Sequence, residues 1–420
     1  MVMADEAAKN PYMNPQVASW LDYLEGIPEP VYPSPRESTA EIAARAPWQN
    51  FLNQKFDQLG LVLPGLTLAL VLALVARVLA TSLGEGLLAF ERSPISAIFV
   101  VVILGLAIRN IVGLPVIYSS GLKMCLKRLL RLGIILLGIR LSLLEVGRIG
   151  LAALPVVACC IFAGILAVTW IGRAMQLPRR LSTLIAVGTS ICGVSAIAAT
   201  GPAIEAEEHE ISYAVAIITL FGMIALILHP FIAHWVFPNH PELAGVFLGT
   251  AVHDTAQVAG SALMYEQLYN APAALDYAVV TKLMRNLFML AVIPVMTFAY
   301  QRSAASGGRR TSLHKLVPLF VLGFLAMTAL RAVGDTGDRP FGMLSEEMWA
   351  AAVDFMRSAA DWCLVVAMAA VGLGTSLSQL RSLGWKPFVA GFAAAVSVGL
   401  FSVIMIVLVH AYSNLFGLTS

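Results

Sequence analysis

From Leu61 onward the chain is a succession of long apolar runs separated by short polar breaks. Eleven runs stand out, at 61–80, 94–112, 125–144, 151–172, 181–203, 211–236, 243–263, 273–299, 315–331, 359–378 and 387–411. Most reach the length of about 18 residues that lets a helix cross roughly 30 Å of hydrocarbon. They are continuously apolar and do not alternate, which predicts helices and not barrel strands. The second run is short, and Gly or Pro interrupts several others. Residues 1–59 differ in kind: they carry Pro28, Pro30, Pro33 and Pro35, hold no apolar run, and lack the h-region of a signal peptide. Within them Gln16–Glu25 and Thr39–Gln58 have helical spacing, with Trp20 and Trp48 among polar residues, where tryptophan marks a membrane interface. The expected organisation is a cytosolic, interfacial tail over 1–59 and a transmembrane domain over 60–420.

Composition agrees. The chain is 59% hydrophobic and 12% charged, about half the charge that keeps a soluble domain's surface in water. A soluble enzyme is excluded on that ground, and a net charge of +2 gives no reason to expect nucleic acid as a partner. Cys125, Cys159, Cys160, Cys192 and Cys363 lie in or beside apolar runs, with no spacing that suggests disulfides or zinc. No cofactor and no metal are expected. Lysine and arginine set the orientation. With the N-terminus in the cytosol and every run crossing, the cytosolic loops hold Arg109, Lys123, Lys127, Arg128, Arg131, Arg173, Arg179, Arg180, Arg302, Arg309, Arg310, Lys315, Arg381 and Lys386. The other side holds Arg92, Arg148, Arg331, Arg339 and Arg357, together with the acidic stretches Glu205–Glu210 and Asp335–Glu347. This bias predicts an inner-membrane, multi-pass protein with its N-terminus cytoplasmic and its C-terminus periplasmic. Two runs that dipped in and returned, the fifth and the seventh, would leave all later runs oriented as before.

Three runs carry polar chemistry at mid-length. The fifth contains Gly188, Thr189, Ser190, Cys192, Gly193 and Ser195; the seventh contains Gly249, Thr250, His253, Asp254 and Gln257; the tenth contains Gly372, Gly374, Thr375 and Ser376. Backbone polar groups inside a bilayer must find partners, so such a cluster either packs helices closely or opens a helix around a polar cavity. His253, Asp254 and Gln257 favour the second reading in the seventh run, because ionisable residues inside a membrane mark substrate or proton pathways. Lys282 and Arg285, three apart on one face of the eighth run, either snorkel to the interface or supply positive charge to an anion site. Arg140 reads as a snorkelling residue. His229 and His234, flanking Pro230 at the expected cytosolic end of the sixth run, and His240 just beyond it read as interfacial, without the fixed spacing of a metal site. Gly138-x-x-x-Ser142-Leu143 echoes Gly372-x-x-x-Ser376-Leu377, a register of 234 residues, while Gly188-Thr189-Ser190 echoes Gly374-Thr375-Ser376 at 186. An inverted repeat of broken helices fits either register but not both.

Four blocks, Arg131–Glu145, Gly188–Pro202, Gly249–Gly260 and Ala367–Ser376, resemble the YeiH-type sulfate exporter family of bacterial inner-membrane proteins, and Lys282 and Arg285 fall on a matching pair. The resemblance covers nearly everything from Leu61 on. Asp254 stands where members often have Glu, and Gly201 where some have Glu, so no acid at 201 is needed in this chain. The resemblance implies a secondary transporter distantly similar to the bile-acid symporter fold. The expected fold is therefore an all-α polytopic membrane protein of about eleven spans, an inverted-repeat transporter with two or more discontinuous helices and no enzymatic role. In the expected mechanism, backbone N–H groups at half-helix starts around Gly188–Ser190 and Gly249–Ala251 face a small anion, sulfate or a related oxyanion or organosulfur acid. Thr189, Ser190, Ser195 and Thr250 donate to it, Lys282 and Arg285 balance its charge, and His253 and Asp254 carry a coupling proton, or Asp254 a sodium ion. A cation/proton antiporter built on Asp254, an intramembrane hydrolase using Ser190 or Cys192 with His253, and a membrane sensor are the competing readings, and a homo-oligomer is compatible with all of them.

Overall fold

The computed structural model describes residues 47–83, 95–301, 319–336, 341, 345–376 and 385–415. Gln16–Glu25, Trp20, Arg92, Arg302–Lys315, Arg339, Leu377, Gln379, Arg381 and Gly384 lie outside the described residues. What is described is helical, with no strand among these residues. Six helices are long and apolar enough to cross a membrane, and shorter apolar helices accompany them.

The chain threads the bundle from the end where α1 (Pro47–Thr81) begins, here the proximal end, to a distal end and back. α1 runs without a break through 59/60, so the end of the tail and the first span form one helix. At its middle Gly65 meets Gly121 of α3 (Ser119–Met124) backbone to backbone, and further on Arg77 lies over the Trp362 ring at 4.2 Å. α2 (Ala97–Ala107) returns, with Ser96 donating to Gln267 distally and Asn110 to the Thr375 carbonyl proximally. α3 continues through a π turn into α4 (Leu130–Leu137) and ends distally at Arg140. α5 (Leu143–Ala174), opened by the Ser142–Glu145 capping box, returns to the proximal end.

The fifth run then departs from a simple crossing. α6 (Arg179–Ser190) is antiparallel to α5, with Gly172 against Ser182 and Gly164 against Ser190. It stops at mid-depth, the chain turns at Ile191–Gly193, and α7 (Val194–Thr200) goes back. A Cβ on Gly188 would meet Ile197 at 2.8 Å, which a straight helix nine residues on cannot allow. This is a re-entrant hairpin from the proximal end. α8 (Glu208–Val236) crosses to the distal end. There α9 (Pro241–Ala251) dips in, turns at Val252–Asp254, and α10 (Thr255–Tyr269) comes back. The sense is fixed by α11 (Pro272–Leu287): Gly245 packs on Ala274 and Gly249 on Ala278 and Thr281, so α9 runs parallel to α11, while α10 ends where α11 begins. α12 (Met289–Gln301) completes that crossing, and α13 (Leu319–Gly334), α14 (Glu346–Gly374) and α15 (Trp385–Leu415) follow as three more.

Nine passes (α1, α2, α3–α4, α5, α8, α11–α12, α13, α14 and α15) and two hairpins from opposite ends therefore replace eleven crossings among the described residues. An apolar run of about twenty residues has one composition whether it is one helix or two halves, so hydropathy could not separate them. Two placements change in consequence. Glu205–Glu210 lies at the same end as Arg173, Arg179 and Arg180, and His229, His234 and His240 lie toward the opposite end. Of the two repeat registers, the structure favours 234. α4 to α5 turns at the distal end and α14 leads to α15 at the proximal end, in opposite senses, and Gly164 and Val398, 234 residues apart, touch where α5 crosses α15. The Gly374 echo is not a third tip, since Gly372 packs on Gly105 of α2 at the proximal end.

Candidate functional site

The hairpin tips meet at the middle of the bundle, and α11 lays two cations across them. Arg285, 1% exposed, donates through Nε to the Ser190 carbonyl (2.8 Å), through NH1 to those of Gly249 (3.4 Å), Thr250 (2.6 Å) and Val252 (3.1 Å), and through NH2 to that of Thr189. Lys282, also 1% exposed, donates to the carbonyls of Ile191 (3.1 Å), Val252 (3.0 Å) and His253. These carbonyls belong to the C-terminal ends of α6 and α9. A helix leaves its last carbonyls unpaired and its C-terminus partly negative, so a cut helix at mid-depth needs a cation there.

This corrects the expected polarity. Gly188–Ser190 and Gly249–Ala251 are half-helix ends and present carbonyls, not the N–H groups an anion needs. The half-helix starts are Val194 and Thr255, and the anion at them is the protein's own. Asp254 caps α10, accepting from the Ala256 N–H at 2.8 Å in a capping box with Gln257, and its carboxylate also faces the Val194 N–H of the other hairpin. Gly193 makes that approach possible: its φ is +73°, and a Cβ there would lie 3.0 Å from Asp254 Oδ2.

Other anticipated residues divide. Thr189 and Thr250 turn their hydroxyls back onto the carbonyls of Ile185 and Val246, and Thr250 also meets Ser402 of α15. Gly188 and Gly249 serve close packing. Gln257 donates to the Thr219 carbonyl of α8, and Cys192 rests against the Met289 sulfur. Ser195 is exposed on α7. Ser190 Oγ, Thr281 Oγ1, Asn286 Oδ1 and both ring nitrogens of His253 are buried without a hydrogen-bond partner, so neither Ser190 nor Cys192 is bonded to His253. A cavity of about 10 Å³ beside Lys282, bordered by Thr255, Val258 and Leu283, has the size of one water site.

One cluster was missed. Arg140 does not snorkel; it bridges Asp276 (2.8 Å) and Glu266 (2.9 Å) with its side chain 10% exposed, and Asp361 of α14 lies in the same field. This network ties the distal turn of α4 to α10 and α11. Arg140→Gln is expected to lower stability by ~2–3 kcal/mol, since it leaves two half-buried carboxylates facing each other. Adding Glu266→Gln is expected to restore part of that, and melting curves of the four proteins in a double-mutant cycle measure the coupling.

Residues 64–391 match the family described as Conserved hypothetical protein 698. A UPF0324 membrane protein of Corynebacterium glutamicum is 32% identical over 308 residues, covering 73% of this chain and 83% of the relative. Another, of Nitratidesulfovibrio vulgaris, is 32% identical over 335 residues, covering 79% and 89%. A third, of Fusobacterium nucleatum, is 29% identical over 316 residues, covering 74% and 89%. No solved structure matches the chain.

Proposed function

The chain belongs to the Conserved hypothetical protein 698 family of membrane proteins, and from that premise and the geometry of the crossing we propose that it is a proton-coupled secondary transporter of a small anion. The observation that carries this reading is the charge of the crossing. Among the described residues the tips hold one carboxylate, Asp254, against the two cations Lys282 and Arg285, so with each group in its ordinary charge state the crossing carries one positive charge in excess in a low-dielectric interior. Such a charge is expensive unless something neutralises it, and a bound anion does. Broken helices meeting from opposite ends are the architecture in which transporters place their substrate site, and a membrane anchor has no use for carbonyl ends at mid-depth. The cations act through their field, because their donors are already occupied by carbonyls; Ser190, Ser195, Thr281 and Asn286 are the side chains left to touch the substrate. Asp254 is already satisfied by backbone N–H groups, which disfavours a cation/proton antiporter built on it.

The substrate class is sulfate or a related oxyanion or organosulfur acid, in line with the resemblance to YeiH-type exporters and the distant one to bile-acid symporters. The proximal end, with Arg109, Lys123, Arg173, Arg179, Arg180 and Lys386, faces the cytosol of a bacterial inner membrane; Glu205–Glu210 beside them does not alter this, because acids count little in the rule. The C-terminus is then periplasmic. Purified protein in liposomes under an imposed pH gradient is expected to move radiolabelled sulfate, and His253→Ala and Asp254→Asn, each inserted as well as the parent, to lose concentrative flux. Variants that transport like the parent would sink the assignment.

A further inference from the structure

His253 is fully buried, yet neither ring nitrogen has a partner. Polar groups in such a position are costly to leave idle. The groups facing it are Lys282 and Arg285 from α11, the Thr189 backbone from the opposite tip, and one further histidine, His229 of α8. The Nδ1 of His229 is likewise buried and unpartnered, and its ring lies 5.2 Å from that of Phe247. Phe247 sits about midway along α9 between His240 and His253, so His229 stands halfway between the distal rim and the crossing. Five residues beyond it on α8, about 7.5 Å along the axis, His234 stacks on Tyr269 at 3.7 Å and reaches the Tyr265 hydroxyl at 3.4 Å. His240 is exposed at the rim, its ring 5.4 Å from that of His410 on α15. Five of the chain's seven histidines thus lie between the tips and the distal end, with His253 at the tip, His229 halfway, and His234, His240 and His410 toward the rim.

We propose that this series is the path by which the coupling proton travels between the distal end and His253, with His229 as its obligatory relay. The inference rests on the transport reading and gives the proton a side. Each imidazole accepts a proton on one nitrogen and releases one from the other, returning to the neutral form. Neither His253 nitrogen nor His229 Nδ1 bonds to another ring, so the path requires water between them. Lys282 and Arg285 repel a proton resting on His253, so it stays there only while an anion shares the site.

Exchange of the histidine C2 hydrogen for deuterium, followed by mass spectrometry on the full chain in nanodiscs, reads water access at each ring without any substrate. His253 is expected to exchange measurably despite its burial. His229→Phe is expected to slow that exchange at least tenfold while leaving His209, at the proximal end, unchanged; His229→Gln, which keeps a polar side chain, serves if the phenylalanine variant misfolds and is expected to slow it less. Unaltered exchange at His253 in these variants, or none in the parent, overturns the path and leaves the transport reading intact. The expected exchange pattern in a protein that moves no anion overturns transport and leaves the path.

Discussion

Replacing Arg285 with glutamine is expected to cost about 3–5 kcal/mol, the range for breaking a fully buried charge network. It is expected to abolish the monodisperse peak of detergent-solubilised protein in size-exclusion chromatography. Five carbonyls from two hairpins converge on this one guanidinium. Glutamine has two donors on a shorter stem and no charge to answer two helix C-termini. Arg285→Lys is expected to fail nearly as badly, because an ammonium is a point donor and cannot span both tips as the planar fork does. A melting temperature within a degree or two of the parent for Arg285→Gln would mean that the tips hold each other without it.

Sulfate affinity is expected to rise as pH falls, by up to tenfold per pH unit. With His253 neutral, the crossing carries a single positive charge; a proton on His253 makes two, which matches a dianion. The bound state therefore holds one more proton than the free state, and by linkage the affinity increases toward acid. His253→Gln is expected to bind more weakly and to lose the pH dependence. Calorimetric titrations with sulfate at several pH values, in buffers of different ionisation enthalpy, count the protons taken up. A flat profile in the parent, or an equal slope in the variant, contradicts the scheme.

The sequence announces where the helices break but not which way they then run. Gly188–Gly193 and Gly249–Asp254 are legible because polar and small residues at mid-depth require a backbone reason, and the spacing of Lys282 and Arg285 fixes their common face. The polarity of the tips is less accessible, although Gly193 was a signal: a residue that must take positive φ marks the turn, and whatever precedes it is a helix end. The return of each hairpin depends on α9 packing parallel to α11 and on Gly188 meeting Ile197, contacts that hydropathy does not encode. The Arg140 network was illegible for a simpler reason. Its partners lie 126 and 136 residues downstream, and each acid alone resembles an interfacial residue.

The placement of both cations on α11 has a consequence for biosynthesis. Lys282 is made 91 residues after the Ile191 carbonyl it caps, so the first hairpin leaves the ribosome with its tip carbonyls unanswered. It has no stable seat in hydrocarbon until α11 arrives. Insertion of the core is therefore expected not to be strictly vectorial, with the first hairpin taking its final seat only once the later helix completes it.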